Sequence, residues 1–194
     1  MSVRGELIVI SGPSGVGKST VTKKVAEKIG AVISVSATTR RPSPKEQEGR
    51  DYYFLSREDF ERLIKEDKLL EYAEYMGNYY GTLRDVVEKH LSAGKDVILE
   101  IEVNGAKQVD KKFSDAIIIY LLAPDDEALL RRLEGRGRDD EETIRKRFEN
   151  AKKEISLAKS SGIYKYWVVN EDLEKTVDEI VRIIHQEKKK RRKL

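Results

Sequence analysis

A glycine-rich segment near the start of the chain holds the residues with the most specific chemistry. Residues 12–19 read GPSGVGKS and match the pattern G-x-x-x-x-G-K-S/T, in which Gly12, Gly17, Lys18 and Ser19 occupy the fixed positions. Glycines let backbone N–H groups turn inward around phosphate oxygens, a lysine reaches the outer phosphates, and a hydroxyl can ligate Mg²⁺. The spacing therefore predicts a site for the phosphates of a nucleoside triphosphate.

The segments on either side of this motif are those that such a phosphate site requires. Residues 7–10 form a short apolar run typical of a buried strand, and Val21, Val25 and Ile29 have helical spacing. Gly30 can end that helix in the left-handed conformation. A strand before the motif and a helix N-terminus after it favour a phosphate-binding loop over a chance glycine turn.

The rest of the chain predicts an alternation of strands and helices. Apolar runs indicate strands at 31–35, 97–101, 116–122 and 166–169, and the segments between them indicate helices at 105–113, 125–134, 141–160 and 172–189. This alternation favours an α/β fold with a mostly parallel central sheet. We expect a three-layer α/β/α P-loop fold with an inserted small α+β lobe and a helical lid.

The predicted lobe is the segment 36–82, which interrupts the alternation. Six of the nine tyrosines lie in it, and a helix start at Ser56 would place Phe60, Leu63 and Ile64 on one face. The aromatic residues can line a ligand site, or they can form a small core of the lobe itself, and both descriptions can hold together.

The predicted lid is the segment 125–147, where two glycines lie among arginines at residues 134–140 and further arginines flank them. A single arginine here could be a solvated helix residue. Several around a glycine-hinged turn suit phosphoryl transfer, which needs mobile cations over the transferring group. Residues 1–35, 83–124 and 148–194 would then form the P-loop core.

Composition limits the setting in which the protein works. The 194 residues include no cysteine and no apolar run of membrane-spanning length, so we expect a cytoplasmic protein without membrane attachment. Six basic residues at 188–193 account for the net charge of +3. A frayed, solvated helix end explains this run better than nucleic-acid binding, and we expect no specific nucleic-acid partner.

Seven segments, in chain order, resemble those of the guanylate kinase family, whose members phosphorylate GMP with ATP. They are SGPSGVGKST, SVSATTR, GRDYYF, LLEYAEYMGNYYGT, EIEVNGAKQV, RRLEGRG and VVNEDL. The first alone indicates only a triphosphate site, whereas the middle segments favour GMP. The resemblance implies a nucleoside monophosphate kinase that uses ATP with Mg²⁺ and accepts GMP and dGMP, and it leaves open a monomer or a homodimer.

The resemblance also implies a role for each matching residue. For ATP, the implied binding residues are Gly12, Pro13, Ser14, Gly15, Val16, Gly17, Lys18, Ser19, Thr20 and Asn170. For GMP, they are Ser36, Arg40, Tyr52 and Tyr80 at the phosphate, with Glu71, Thr82 and Glu102 near the base. The implied metal ligands are Ser19 and Glu100, and the implied catalytic cations are Lys18, Arg132, Arg136 and Arg147.

The chemistry of guanine supports the role of Glu71 independently. Guanine presents two adjacent donors, the N1–H and the 2-amino group, and a carboxylate is the matching pair of acceptors. Adenine has no such pair and would leave a buried charge unpaired, which is costly enough for strong discrimination. The alternative for Glu71 is an ordinary surface position in a strand.

The sequence departs from the family pattern at three positions. Ser43 stands where the family usually has a second arginine, three residues after Arg40, so we expect weaker GMP binding. Arg41 or Lys45 could supply the missing cation, but the prolines on either side of Ser43 restrict the local backbone. Glu102 and Asn104 stand where an aspartate and, often, a glutamine are usual.

Two other functions are compatible with parts of this pattern. Guanylate-kinase-like domains of scaffold proteins bind phosphorylated peptides without catalysis, but they have a degraded P-loop and lack the lid arginines. This chain has an intact P-loop motif and retains the lid arginines. A related P-loop kinase could act on another phosphorylated small molecule, such as a ribosyl phosphate. Glu71, Tyr80 and Thr82 favour guanine over that substrate.

Overall fold

Strands and helices alternate along most of the chain in a computed structural model, which describes residues 4–135 and 140–191. Its strands are β1 (Leu7–Ser11), β2 (Val32–Ile33), β3 (Ala37–Thr38), β4 (Tyr53–Phe54), β5 (Leu69–Tyr75), β6 (Asn78–Leu83), β7 (Val97–Glu100), β8 (Ile117–Leu122) and β9 (Tyr166–Val169). Its helices are α1 (Lys18–Ile29), α2 (Arg57–Lys65), α3 (Arg84–Ser92), α4 (Val103–Lys112), α5 (Asp126–Glu134), α6 (Glu141–Ser161) and α7 (Leu173–Arg191). Within these two ranges no helix combines the length and the apolar character that crossing a membrane requires.

The central sheet consists of five parallel strands in the order β2-β7-β1-β8-β9. Every residue of β1 is buried, as expected for a strand that is covered on both faces. Val21 of α1 and Ile180 of α7 belong to the core on one side of the sheet, and Leu91 of α3 and Val109 of α4 belong to the core on the other. The predicted α/β fold with a parallel central sheet is confirmed.

Residues 37–83 build a second sheet, with the strand order β4-β3-β6-β5. Strands β5 and β6 form an antiparallel hairpin, and β3 pairs antiparallel with β6 and parallel with β4. The Ser56 hydroxyl accepts a hydrogen bond from the Asp59 backbone N–H at 3.0 Å, which caps α2 as predicted. Phe60 is buried and stacks on Tyr79 with 5.2 Å between the ring centroids, so this sheet has a small aromatic core of its own.

Differences from the predicted elements concern short segments. The strand predicted at 31–35 is reduced to β2, which pairs with β7 at the edge of the central sheet. Helix α3 is absent from the predicted elements, although its two buried residues, Val87 and Leu91, have helical spacing. The division of the chain into core, lobe and lid stays a prediction.

Two residues of the basic end of α7, Lys188 and Arg191, are tied to the core, so the expectation of a frayed, solvated helix end is wrong for them, whereas Lys189 and Lys190 are exposed. Lys188 donates to the two carboxylate oxygens of Asp96 at 2.9 and 2.7 Å. Arg191 donates to the Glu6 carboxylate and to the Asp115 backbone oxygen. Residues 192–194 lie outside the described part of the chain.

Candidate active site

The glycine-rich motif forms the turn between β1 and α1. Gly17 precedes α1 in the left-handed region at φ 96°, and a Cβ there would lie 2.9 Å from the Asn170 side-chain nitrogen, so the position suits only glycine. Lys18 donates to the backbone oxygens of Gly12 and Pro13 at 2.5 and 3.2 Å. The turn encloses a cavity of about 210 Å³ lined by Pro13, Ser14, Gly15, Gly17, Lys18, Ser19, Thr20 and Glu100. A helix N-terminus and an ammonium group beside this cavity suit phosphate oxygens.

Two oxygen-bearing side chains meet in the wall of that cavity. The Ser19 hydroxyl donates to a carboxylate oxygen of Glu100 at 2.7 Å. Glu100 ends β7 and pairs in register with Ile10 of β1, so both carboxyl ends lie at the same sheet edge. Mg²⁺ prefers oxygen ligands and binds through few protein groups when it also binds phosphates and waters. The pair therefore fits the metal site that the sequence predicts.

Two arginines from helices after β8 contact the glycine-rich turn. Arg132 on α5 donates to the backbone oxygens of Val16 and Asn170 at 3.2 and 2.6 Å. Arg147 on α6 donates to the Ser14 hydroxyl at 3.1 Å. The third predicted lid cation, Arg136, lies outside the described residues.

Asn170, predicted to lie near the adenine of ATP, directly follows β9 and is buried. Its side-chain nitrogen donates to the Val16 backbone oxygen at 2.8 Å. The same backbone oxygen accepts from Arg132, so both side chains hold one peptide group of the phosphate-binding turn.

Glu154 also contacts the turn, although the sequence analysis does not name it. Its carboxylate accepts from the Ser14 backbone N–H at 3.2 Å, and burial, with Glu102 nearby, raises the pKa of Glu154. Arg147 and Glu154 are seven residues apart and share one face of α6. That spacing is a signal in the sequence, but only the fold shows that Ser14 lies opposite this face.

Residues predicted to bind the GMP phosphate come together beside β3 and β4. Tyr52 and Tyr80 pack edge to face with 6.2 Å between ring centroids, and the Arg40 guanidinium lies 5.4 Å from the Tyr52 ring centroid. Ser36 directly precedes β3, and its backbone oxygen accepts from the Tyr53 N–H at 2.9 Å. The structure thus brings Arg40, Tyr52 and Tyr80 into contact, and Ser36 is linked to them through the backbone of Tyr53, the residue after Tyr52.

A carboxylate that the sequence analysis does not single out lies in this cluster. Glu46 accepts from Arg40 at 2.7 Å and from the Ser43 backbone N–H at 2.7 Å. These hydrogen bonds, the one from Arg40 first, lower the pKa of Glu46 to about 2. The Ser43 hydroxyl accepts from Arg40 at 3.3 Å, so position 43 lies next to the predicted phosphate-binding cation. One glutamate in a highly charged loop gives no sequence signal of its own.

Glu71 is a buried carboxylate of the second sheet, only 7% exposed, so its alternative assignment to a surface position is wrong. Its carboxylate accepts from the Thr82 hydroxyl at 2.7 Å. Burial raises the pKa of Glu71, and the negative charge of Glu102 raises it further. A Cβ at Gly105 would lie 2.8 Å from a carboxylate oxygen of Glu71, so helix α4 lies directly against this group.

Comparison with known proteins decides the family. The family model described as "Guanylate kinase" matches residues 4–187. The chain belongs to the guanylate kinase family. A guanylate kinase of Streptococcus thermophilus is 50% identical over 189 residues, which cover 96% of this chain and 89% of that protein. One of Thermus thermophilus is 48% identical over 188 residues, which cover 97% and 84% of the two chains.

Solved structures agree with this family assignment. The crystal structure of guanylate kinase from Anaplasma phagocytophilum matches with a TM-score of 0.72 and 35% sequence identity. The match covers 96% of this chain and 87% of that one. The resemblance carried by the seven sequence segments is therefore confirmed over nearly the whole chain.

Proposed function

We propose that this chain is an ATP:GMP phosphotransferase of purine nucleotide metabolism. It transfers the γ-phosphoryl group of Mg·ATP to GMP, giving ADP and GDP, and it also accepts dGMP. Its relatives in Streptococcus and Thermus are named guanylate kinases, which supports this reaction. The proposed setting is the cytoplasm, with the protein acting as a monomer or a homodimer.

The observation that carries the proposal is the buried carboxylate of Glu71. Thr82 occupies one acceptor direction of one oxygen, and each carboxylate oxygen accepts more than one hydrogen bond. The carboxylate can therefore also accept from the guanine N1–H and 2-amino group. An adenine or a pyrimidine would leave this buried charge without matching donors, which selects against them.

The proposed acceptor phosphate binds to the cluster of Ser36, Arg40, Tyr52 and Tyr80. A phosphate monoester is anionic at neutral pH, so its oxygen attacks the γ-phosphorus of ATP without a general base. The Glu46 carboxylate holds Arg40 by a 2.7 Å hydrogen bond. Catalysis then depends on the positions of the two phosphates rather than on proton transfer.

The proposed donor site is the glycine-rich turn, where backbone N–H groups and Lys18 bind the β- and γ-phosphates. Ser19 and Glu100 would hold Mg²⁺, which neutralises negative charge on the phosphates when it is bound. Arg132 and Arg147 already contact the turn and would lie over the transferring group. Closure of the predicted lid over ATP would keep water away from the reacting phosphate.

The experiment is a coupled assay of ADP release with Mg·ATP and, in turn, GMP, dGMP, AMP, CMP and UMP. Turnover restricted to GMP and dGMP is expected. Turnover with another phosphorylated acceptor instead of GMP would assign the chain a different substrate. A protein that binds ATP but shows no turnover with any of the five nucleotides would contradict the proposed reaction.

A pair of lysine variants tests the donor site. Lys18→Met should lower kcat by about 10²-fold or more, because it removes a cation from the transferring phosphates. Lys23 is exposed on the same helix, so Lys23→Met is the matched control and should keep wild-type turnover. Near-normal turnover of Lys18→Met would refute the role of Lys18.

A further inference from the structure

One face of helix α4 covers the strand that holds Glu71. Gly105, Gln108 and Lys112 follow one another at intervals of three and four residues, which places them on one side of the helix. They lie against β5, which is the last strand in the order β4-β3-β6-β5. An edge strand has backbone N–H and C=O groups that no neighbouring strand satisfies.

Gln108 satisfies the backbone of Tyr72 in the way that a neighbouring strand would. Its side-chain oxygen accepts from the Tyr72 N–H at 3.2 Å, and its side-chain nitrogen donates to the Tyr72 C=O at 2.9 Å. The same nitrogen lies 3.4 Å from the Asn104 backbone oxygen, within its own helix. One amide group thus fixes both backbone polar groups of the residue next to Glu71.

The neighbours of Gln108 extend this contact in both directions along β5. Lys112 donates to the Leu69 backbone oxygen at 2.6 Å and to the Asp67 carboxylate at 2.7 Å. Gly105 lies where a Cβ would be 2.8 Å from the Glu71 carboxylate. The Glu71 side chain therefore lies between Thr82 and α4, and its position depends on how β5 is registered against the helix.

We propose that Gln108 is a positioning residue for guanine recognition. By pairing with the Tyr72 backbone, it holds β5 in the register at which the Glu71 carboxylate presents its oxygens to the guanine N1–H and 2-amino group. A displacement of about 1 Å is enough to weaken such a two-point match strongly. This inference rests on the proposed role of Glu71 and names the residue that sets its geometry.

Gln108→Met is the decisive variant, because methionine has a similar length and volume but offers the Tyr72 backbone no comparable hydrogen bonds. The KM for GMP should rise about tenfold, from the loss of two hydrogen bonds that orient Glu71. The kcat at saturating GMP and the KM for ATP should stay within about twofold, because the phosphate-binding residues are untouched. The preference for GMP over IMP, which lacks the 2-amino group, should fall by a similar factor.

One measurement and one control variant separate positioning from a general loss of structure. Amide hydrogen exchange of the ligand-free variant should speed up at Tyr72 but not in β1 or β8 of the central sheet. Lys111 is exposed on the same helix, so Lys111→Met should leave all these values unchanged.

The outcomes are distinguishable. If the wild type phosphorylates GMP and Gln108→Met keeps the wild-type KM for GMP, the inference is wrong. A lower kcat together with higher KM values for both GMP and ATP, and faster exchange throughout the central sheet, would indicate a folding defect. This result would also overturn the inference. A wild type without GMP activity would instead overturn the proposed function.

Discussion

At the residue scale, Glu71 is a carboxylate that the fold itself buries. Its ionised form suits guanine, yet burial and then Glu102 raise its pKa. The folded protein therefore holds this proton more tightly than the unfolded chain does. The stability that the protonated group contributes is fully present below the unfolded pKa of about 4.3, and it is lost as the pH rises through the folded pKa.

A neutral amide at position 71 should therefore stabilise the protein while it disables the site. Glu71→Gln keeps an acceptor for Thr82 without the buried charge, so its Tm should exceed that of the wild type at pH 7. The difference should shrink toward pH 4, where the wild-type carboxyl is protonated as well. The kcat/KM for GMP should fall by about 10²-fold, since the amide presents one acceptor where guanine needs two.

Thermal unfolding at the two pH values, together with the GMP assay, measures both effects. Glu74 is exposed on the same strand, and Glu74→Gln serves as the control, with no pH-dependent gain expected. A Tm for Glu71→Gln at or below the wild-type value at pH 7 would contradict the cost assigned to the buried charge.

Position 43 is where the sequence departs from the family pattern near the proposed GMP phosphate, with a serine in place of the usual second arginine. Ser43 lies beside Arg40, whose guanidinium is paired with Glu46, so an arginine there would place two cations beside one carboxylate and leave a net positive charge. Ser43→Arg should lower the KM for GMP by about tenfold and leave the KM for ATP unchanged. Ser43→Ala is the control for loss of the hydroxyl, and an unchanged KM in Ser43→Arg would show that a second arginine is not limiting.

At the scale of elements, α7 is held to the first strand and its neighbour through a buried acid. Asp96 is 7% exposed and accepts from Lys188 and from the Glu6 backbone N–H. Lys188→Ala should leave this charge without its cation and lower the free energy of unfolding by about 2 kcal/mol. Lys189 is exposed on the next position, so Lys189→Ala should change it by no more than about 0.5 kcal/mol.

Denaturant titration of the two variants gives both values, and the GMP assay should show equal kcat for them because α7 lies outside the proposed site. Equal free energies of unfolding for Lys188→Ala and Lys189→Ala would mean that the Lys188–Asp96 contact does not stabilise the fold. Such a result would restore the initial interpretation of the basic run as a solvated helix end.

The elements that the sequence predicted well are those whose signals lie within their own segments. The glycine-rich turn, β9 and α6 carry their signals locally, in apolar runs, caps and motif spacing. Strands β3 and β4 have two residues each, which is too short for a hydrophobic periodicity to be recognised. The contacts of Gln108 with Tyr72 join residues 36 positions apart, so spacing within one element could not reveal them.

At the scale of the whole molecule, the predicted binding sites for the phosphoryl donor ATP and the acceptor GMP lie on different parts of the chain. The donor turn belongs to the central sheet, and the residues assigned to GMP belong largely to the second sheet. Family resemblance alone supplied most of the residue roles, and the structure adds contacts within each cluster. It also places α4 between the two sheets, since this helix begins after β7 and packs against β5.

This arrangement predicts that ADP release depends on the acceptor. With Mg·ATP alone, the cations of the acceptor cluster have no phosphate to bind, and water is the only nucleophile available. ADP release should then be at least about 100-fold slower than with saturating GMP, because closure over both substrates completes the site and excludes water. Guanosine, which carries the base but no phosphate, is the matched control and should leave the slow rate within a few-fold of its value with ATP alone. A rate with ATP alone that comes within about tenfold of the rate with GMP would mean that the donor site is complete by itself. The second sheet would then select the acceptor without contributing to the rate of transfer.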